Sequence, residues 1–202
     1  MLRGVYFITD SNFGSHEELA EKALELGVRI IQFREKKMKD RDKLRMAKNL
    51  RELTDCYDAI LVINDRLDIA IAADADGVHL GQEDMPLEVA RDIFDGIIGI
   101  SVHSVEEARR ARNADYLGIG PVFKTTTKED AREPIGISGL KEILKEISIP
   151  SFAIGGINAE NVLEVLKCGV SGVAVISAIA KDGAKDFIEI VNRFLNETAL
   201  RS

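Results

Sequence analysis

The 202-residue chain has no tryptophan, two cysteines, four prolines and three histidines, and only 5% of it is aromatic. Cys56 and Cys168 stand far apart without C-x-x-C spacing, which argues against a disulfide framework and against a zinc site. Such sparse cysteine usage suits a reducing cytoplasm, the expected location. Excess positive charge is absent too. The formal net charge is −7, so no nucleic-acid partner that relies on phosphate neutralisation is expected. The longest apolar stretch, 172–180, is far below the roughly 20 residues of a membrane span, and no membrane association is expected. The apolar start, through Ile8, is too short for a signal peptide and reads as a first strand. Low-complexity tracts and Pro/Ser-rich linkers are missing. Residues 1–202 are therefore expected to form one domain.

What the chain does contain is alternation. Short runs rich in apolar and β-branched residues, at Gly4–Ile8, Val28–Phe33, Ile60–Ile63, Gly77–Leu80, Ile97–Ile100, Tyr116–Ile119, Ser151–Ile154 and Gly172–Ile176, read as strands. Between them apolar residues recur three and four apart, the spacing of a helix face. Ser15 and Ser104 each precede a glutamate by three, the capping-box spacing, and predict helix starts. Gly27 and Gly169 fall where helix C-caps belong, and Asn158 is placed to cap the helix after the seventh strand. Eight βα units imply a parallel sheet, because each helix carries the chain back. They close most simply into an α/β fold of the (β/α)8 TIM-barrel type, with an open doubly wound sheet as the alternative. In such barrels the chemistry sits beyond the carboxyl ends of the strands, so the residues there form a candidate site.

The second strand ends in Gln32-Phe-Arg-Glu-Lys36. Strand alternation sends Gln32, Arg34 and Lys36 to one side and Phe33 and Glu35 to the other. Inward charge at a barrel rim is costly unless it meets a ligand or partner, and Arg34 and Lys36 suit phosphate. Asp65 follows the third strand, and Asp84 follows the turn that Gly81 permits after the fourth. Two carboxylates without a nearby histidine suit Mg²⁺ better than zinc. His79 reads as a packed core residue. Beyond the fifth strand lie Ser101, a candidate ligand contact, and His103, a candidate acid or base titratable near neutrality. After the sixth, Gly118-Ile-Gly-Pro-Val-Phe breaks into Lys124, Thr125, Thr126, Thr127 and Lys128, a loop of hydroxyls and cations suited to phosphate. The segment Thr125–Pro134 is long and polar for a βα loop, and is a candidate lid. Gly155 and Gly156 end the seventh strand, with Ile176 and Ser177 at the eighth. Phosphate sites of such barrels commonly form between those two loops.

These motifs together, with Asn64-Asp-Arg66, Asp76-Gly-Val-His-Leu-Gly-Gln-Glu-Asp84 and Ala153-Ile-Gly-Gly-Ile157, resemble the thiamine-phosphate synthase family over essentially the whole chain. The resemblance implies a (β/α)8 barrel that joins 4-amino-2-methyl-5-hydroxymethylpyrimidine diphosphate to 4-methyl-5-(2-hydroxyethyl)thiazole phosphate, or its carboxylate, and releases diphosphate. It implies Mg²⁺ on Asp65 and Asp84. The pyrimidine diphosphate would meet Gln32, Arg34, Lys36, Asn64, Ser101 and Lys128, and the thiazole phosphate Thr125, Thr126, Thr127, Gly156, Ile176 and Ser177. Phe33 and Glu35 join the substrate-binding set as part of the Gln32–Lys36 motif. Arg34, Lys36, Ser101 and Lys128 would be catalytic. The implied mechanism is dissociative, the diphosphate departing from a pyrimidine methylene cation that the thiazole nitrogen attacks. A diphosphate of about −3 beside two aspartates is then neutralised by Mg²⁺ and three cationic side chains. Ser101-Val-His-Ser104 also resembles the related TenI-type thiazole tautomerases, which is one alternative; a non-catalytic thiamine-phosphate-binding regulator is another. Whether the chain forms a homodimer stays open.

Overall fold

Side chains on a β-strand alternate in direction, so each short strand here supplies two separate sets of contacts. The computed structural model describes residues 2–125, 127 and 132–200. Its strands are β1 (Gly4–Thr9), β2 (Ile30–Phe33), β3 (Ile60–Asn64), β4 (Gly77–Leu80), β5 (Ile97–Val102), β6 (Tyr116–Ile119), β7 (Ser151–Ile154) and β8 (Gly172–Val175). Its helices are α1 (His16–Glu25), α2 (Asp40–Cys56), α3 (Leu67–Ala72), α4 (Leu87–Ile93), α5 (Val105–Arg110), α6 (Gly136–Leu144), α7 (Val162–Leu166), α8 (Ser177–Ala180) and α9 (Ala184–Ala199). The strands pair in parallel in sequence order, and β8 returns to β1 from Gly4↔Gly172 to Phe7↔Val175. The sheet is a closed barrel, which rules out the open doubly wound alternative.

Inward-facing Tyr6, Ile8, Ile30, Val62, Tyr116 and Phe152 fill the barrel. The intervening Phe7, Ile31, Phe33, Leu61 and Ile63 face the helices and join the larger outer core. Each fully buried aliphatic or aromatic side chain there contributes about 1.5–3 kcal/mol. Both serines cap the helices they were expected to start: Ser15 Oγ accepts from the Glu18 amide and Ser104 Oγ from the Glu107 amide, each at 3.2 Å. Gly27, with φ 90°, turns the chain out of α1 as expected.

Several boundaries differ from the expectation. β2 starts at Ile30 rather than Val28, because the Val28 amide donates back to Ala23 O at 3.0 Å and belongs to the end of α1. β1, β3 and β5 run on to Thr9, Asn64 and Val102. Asn158 does not cap α7. Its Oδ1 accepts from the Glu160 amide, inside a turn that delays the helix until Val162. β8 stops at Val175, so Ser177 opens the short α8 instead of closing a strand, and α9 packs its Phe187, Ile188, Val191 and Leu195 back into the core. No helix among the described residues is long and apolar enough to cross a membrane.

Candidate active site

The carboxyl ends of the strands and the loops after them enclose a cavity of about 360 Å³. Arg34, Lys36, Asn64, Asp65, Asp84, Ser101, Thr125, Thr127, Gly156, Ile176 and Ser177, all anticipated, line it. Thr126 and Lys128, and with them half of the expected lid, lie outside the described residues. Three expected contacts stand elsewhere. Phe33 points outward into the helix layer, where its ring meets the His16 ring edge-on at 4.7 Å. Glu35 also faces away from the cavity and pairs with His16 at 3.1 Å. Gln32 does point inward, but it sits below the cavity wall and donates to Tyr6 Oη at 2.7 Å.

Local structure explains how the polar groups reach the rim. The loop after β2 is folded around the Glu35 carboxylate, which accepts from the Lys37 and Met38 amides at 2.6 and 3.3 Å. Burial works to raise its pKa, but those amides, His16 and Ser11 more than offset this and hold it at about 2. With Glu35 anchored outward, alternation turns Arg34 and Lys36 inward. Arg34 Nη1 rests on Asp10 at 3.2 Å, with the guanidinium largely buried. That contact uses one edge of a planar five-donor group.

Asp65 and Asp84 arrive by different routes. Asp65 follows β3 with φ 63°, a left-handed conformation that aspartate tolerates better than most residues, and its amide donates to His79 O at 2.8 Å. Asp84 is tied by Oδ2 to the Gly81 amide at 2.6 Å, closing the turn after β4. A Cβ on Gly81 would sit 3.0 Å from that oxygen. The two carboxyl groups are in hydrogen-bonding contact. Burial first, and then the Asp84 charge and that hydrogen bond, push Asp65 up to about 6, against the opposing pull of Lys36 and Arg34.

On the opposite wall, Gly155 and Gly156 have φ of 97° and 66°, and a Cβ at Gly156 would lie 2.6 Å from Lys124 O. Only glycine lets this turn pass so close to the β6 loop, leaving backbone amides near the cavity. His103 lines the wall and its Nδ1 lies 3.2 Å from Gly120 O. His79, read as a core histidine, is indeed buried, yet its edge also lines the cavity floor.

Reading the strand ends missed Asp10, which braces Arg34, although it directly follows β1 and the same rule would have found it. It also missed Glu107 and Arg132. They pair at 2.6 Å across the cavity mouth, while Glu107 Oε2 accepts from the His103 amide at 2.7 Å. That pairing joins residues 25 apart in sequence and leaves no local signal. Among the described residues no cluster of three or more His, Cys, Asp or Glu is arranged to hold a metal. The Asp65–Asp84 pair at the rim is a hard-oxygen donor set.

The family described as thiamine monophosphate synthase matches residues 5–179. The chain belongs to this family. It is 58% identical over 197 residues to the thiamine-phosphate synthase of Archaeoglobus fulgidus, covering 94% of each chain. It is 52% identical over 185 residues to that of Clostridium novyi, covering 88% of this chain and 91% of the relative. Among solved structures, the thiamine phosphate pyrophosphorylase of Pyrococcus furiosus superposes with a TM-score of 0.88 at 46% identity, over 96% of both chains. Membership of the thiamine monophosphate synthase family makes the chain an enzyme, a transferase.

Proposed function

We propose that the cavity condenses the aminopyrimidine methylene diphosphate with the thiazole phosphate, or its carboxylate, giving thiamine phosphate and diphosphate. The observation that carries this reading is the meeting, in one 360 Å³ space, of a cationic wall, a carboxylate pair and a hydroxyl- and glycine-lined wall. Those are the requirements of two anionic substrates of which one loses diphosphate. Asp65 and Asp84 would hold Mg²⁺: two neighbouring carboxyl groups, one pushed up in pKa by burial and then by the other's charge, form a site whose repulsion a divalent cation would relieve. Bound there, Mg²⁺ supplies positive charge to the departing diphosphate.

The remaining work falls to side chains. Arg34 and Lys36, braced from behind by Asp10 and the Glu35 turn, present fixed positive charge toward the leaving group, so little reorganisation accompanies bond breaking. Lys128 is assigned the same role from sequence. Ser101 donates to the pyrimidine substrate. Thr125, Thr127, the Gly155–Gly156 turn and Ser177 grip the thiazole phosphate and hold its ring nitrogen in line with the methylene. That nitrogen has its own lone pair, so bond formation needs no general base. A second reading, proton transfer on a thiazole, is favoured by His103 standing in the cavity wall.

The test is incubation with both phosphorylated heterocycles, with and without Mg²⁺, following diphosphate and thiamine phosphate together. Stoichiometric, Mg²⁺-dependent formation of both is expected. Isomerisation of the thiazole without diphosphate release would replace this reading with the second one.

A further inference from the structure

A chain of hydrogen bonds crosses the barrel beneath the cavity and surfaces in it at Ser101. Gln32 Nε2 donates to Tyr6 Oη at 2.7 Å, and Tyr6 Oη lies 2.8 Å from Tyr116 Oη. Tyr116 Oη lies 2.9 Å from His79 Nδ1, and His79 Nε2 lies 2.8 Å from Ser101 Oγ. The groups come from β2, β1, β6, β4 and β5, so the chain runs from one side of the barrel to the other.

Its direction follows from donor chemistry. An amide nitrogen only donates. Tyr6 Oη therefore accepts from Gln32, and because a buried hydroxyl proton without an acceptor is costly, its own proton is assigned to its other partner, Tyr116. Tyr116 in turn gives its proton to His79 Nδ1. A ring nitrogen that accepts is bare, so the imidazole proton sits on Nε2 and is donated to Ser101 Oγ. The hydrogen left at the end is that of Ser101, and it points into the cavity that Ser101 lines.

We propose that Tyr6, Tyr116 and His79 are positioning residues that orient the Ser101 hydroxyl as a hydrogen-bond donor into the cavity, so that the ligand atom meeting its proton is an acceptor such as a phosphate oxygen. The inference rests on reading Ser101 as a substrate contact. An isolated serine hydroxyl rotates and serves equally as donor or acceptor. Committing one lone pair to a fixed N–H restricts that rotation before the ligand arrives and favours a hydroxyl proton turned toward the cavity, a preorganisation that stabilises developing negative charge.

The fold makes room for this chain at the expense of side chains elsewhere. A Cβ on Gly99 would collide with the Tyr116 ring and hydroxyl, and one on Gly118 would stand 3.0 Å from His79 Cε1. Burial pushes both phenols well above their ordinary range, so each keeps the proton it must donate. The same layer is otherwise apolar, filled by Ile30, Val62 and Phe152. Polar groups in such surroundings are costly unless every donor meets an acceptor, and here the sequence of donors and acceptors is unbroken.

The direct test is nitrogen NMR of the ligand-free protein at pH 8 with ¹⁵N-labelled histidine, the His79 signals being assigned by their loss in His79→Gln. A proton on Nε2 with a bare Nδ1 is expected; a proton on Nδ1 overturns the inference. The functional test is a double-mutant cycle on kcat/KM for the pyrimidine diphosphate. Tyr116→Phe is expected to cost about tenfold with Ser101 present and under about twofold in a Ser101→Ala background. Equal losses in both backgrounds assign Tyr116 a packing role only and overturn the proposal. If Tyr116→Phe does not fold, Tyr6→Phe goes through the same cycle. Absence of synthase turnover in the unmutated protein refutes the proposed reaction, while the tautomer measurement still decides the direction of the chain.

Discussion

Replacing Asp65 by asparagine should stabilise the metal-free protein while removing its Mg²⁺-dependent turnover. Asp65 is raised from 3.8 to about 6, by burial and by the neighbouring Asp84 charge, so the fold disfavours its ionised form. In the unfolded chain the group loses its proton near pH 4; in the folded chain it does so near pH 6. Between these values the folded state binds more protons, so this group lowers stability as pH rises, and the penalty is complete above pH 6. A shift of about two pH units corresponds to at most ~3 kcal/mol. Asp65 is only partly buried, and solvent screening reduces the expected gain from Asn to about 1 kcal/mol. Asn also suits the left-handed backbone at this position, φ 63°, and its amide can donate to Asp84. For a protein of this length the expected rise in Tm is about 2–4 °C in EDTA at pH 8, shrinking to nothing near pH 4. Calorimetry of both proteins across that range measures it. A variant less stable than the parent at pH 8, or a gain that ignores pH, would refute the carboxylate-repulsion argument. Added Mg²⁺ should raise the Tm of the parent and leave the variant unmoved.

Three further outcomes follow from the geometry. Glu35, held at about 2 against an ordinary 4.5, adds stability that is present above pH 4.5 and is lost as pH falls toward 2. Glu35→Gln should therefore cost about 1–3 kcal/mol at pH 7 in denaturant titrations, the difference narrowing below pH 4; a pH-independent loss would mean packing alone is at stake. Gly99→Ala places a methyl group into the Tyr116 ring, an overpacking cost of about 1–3 kcal/mol, read as a lowered Tm; an unchanged Tm would show that Tyr116 moves freely. His103→Ala should leave synthase turnover within about fivefold, because the proposed chemistry transfers no proton through it; collapse of turnover would assign His103 a part in the reaction.

Much of the architecture was legible locally. Strand-length apolar runs separated by helical spacing mark eight βα units, and both serine N-caps form where the sequence places them. The rim residues could be named in advance because alternation is a local rule. Once Arg34 and Lys36 face inward, Phe33 and Glu35 must face outward, as they do. Counting those two among the ligand contacts followed the motif as one block, whereas the pleat sets them against the helix layer and His16.

Sequence by itself determined the order of elements, the inward and outward faces of each strand, and the cationic, hydroxylated character of the rim, since each depends on residues a few positions apart. Only the tertiary structure decided that β8 returns to β1, that Asp84 presses on Asp65, that Glu107 reaches Arg132, and that Gln32 connects through two tyrosines and a histidine to Ser101. Those contacts join residues distant in sequence, and strand register around a closed barrel sets which of them meet. No pattern along a single strand encodes that register.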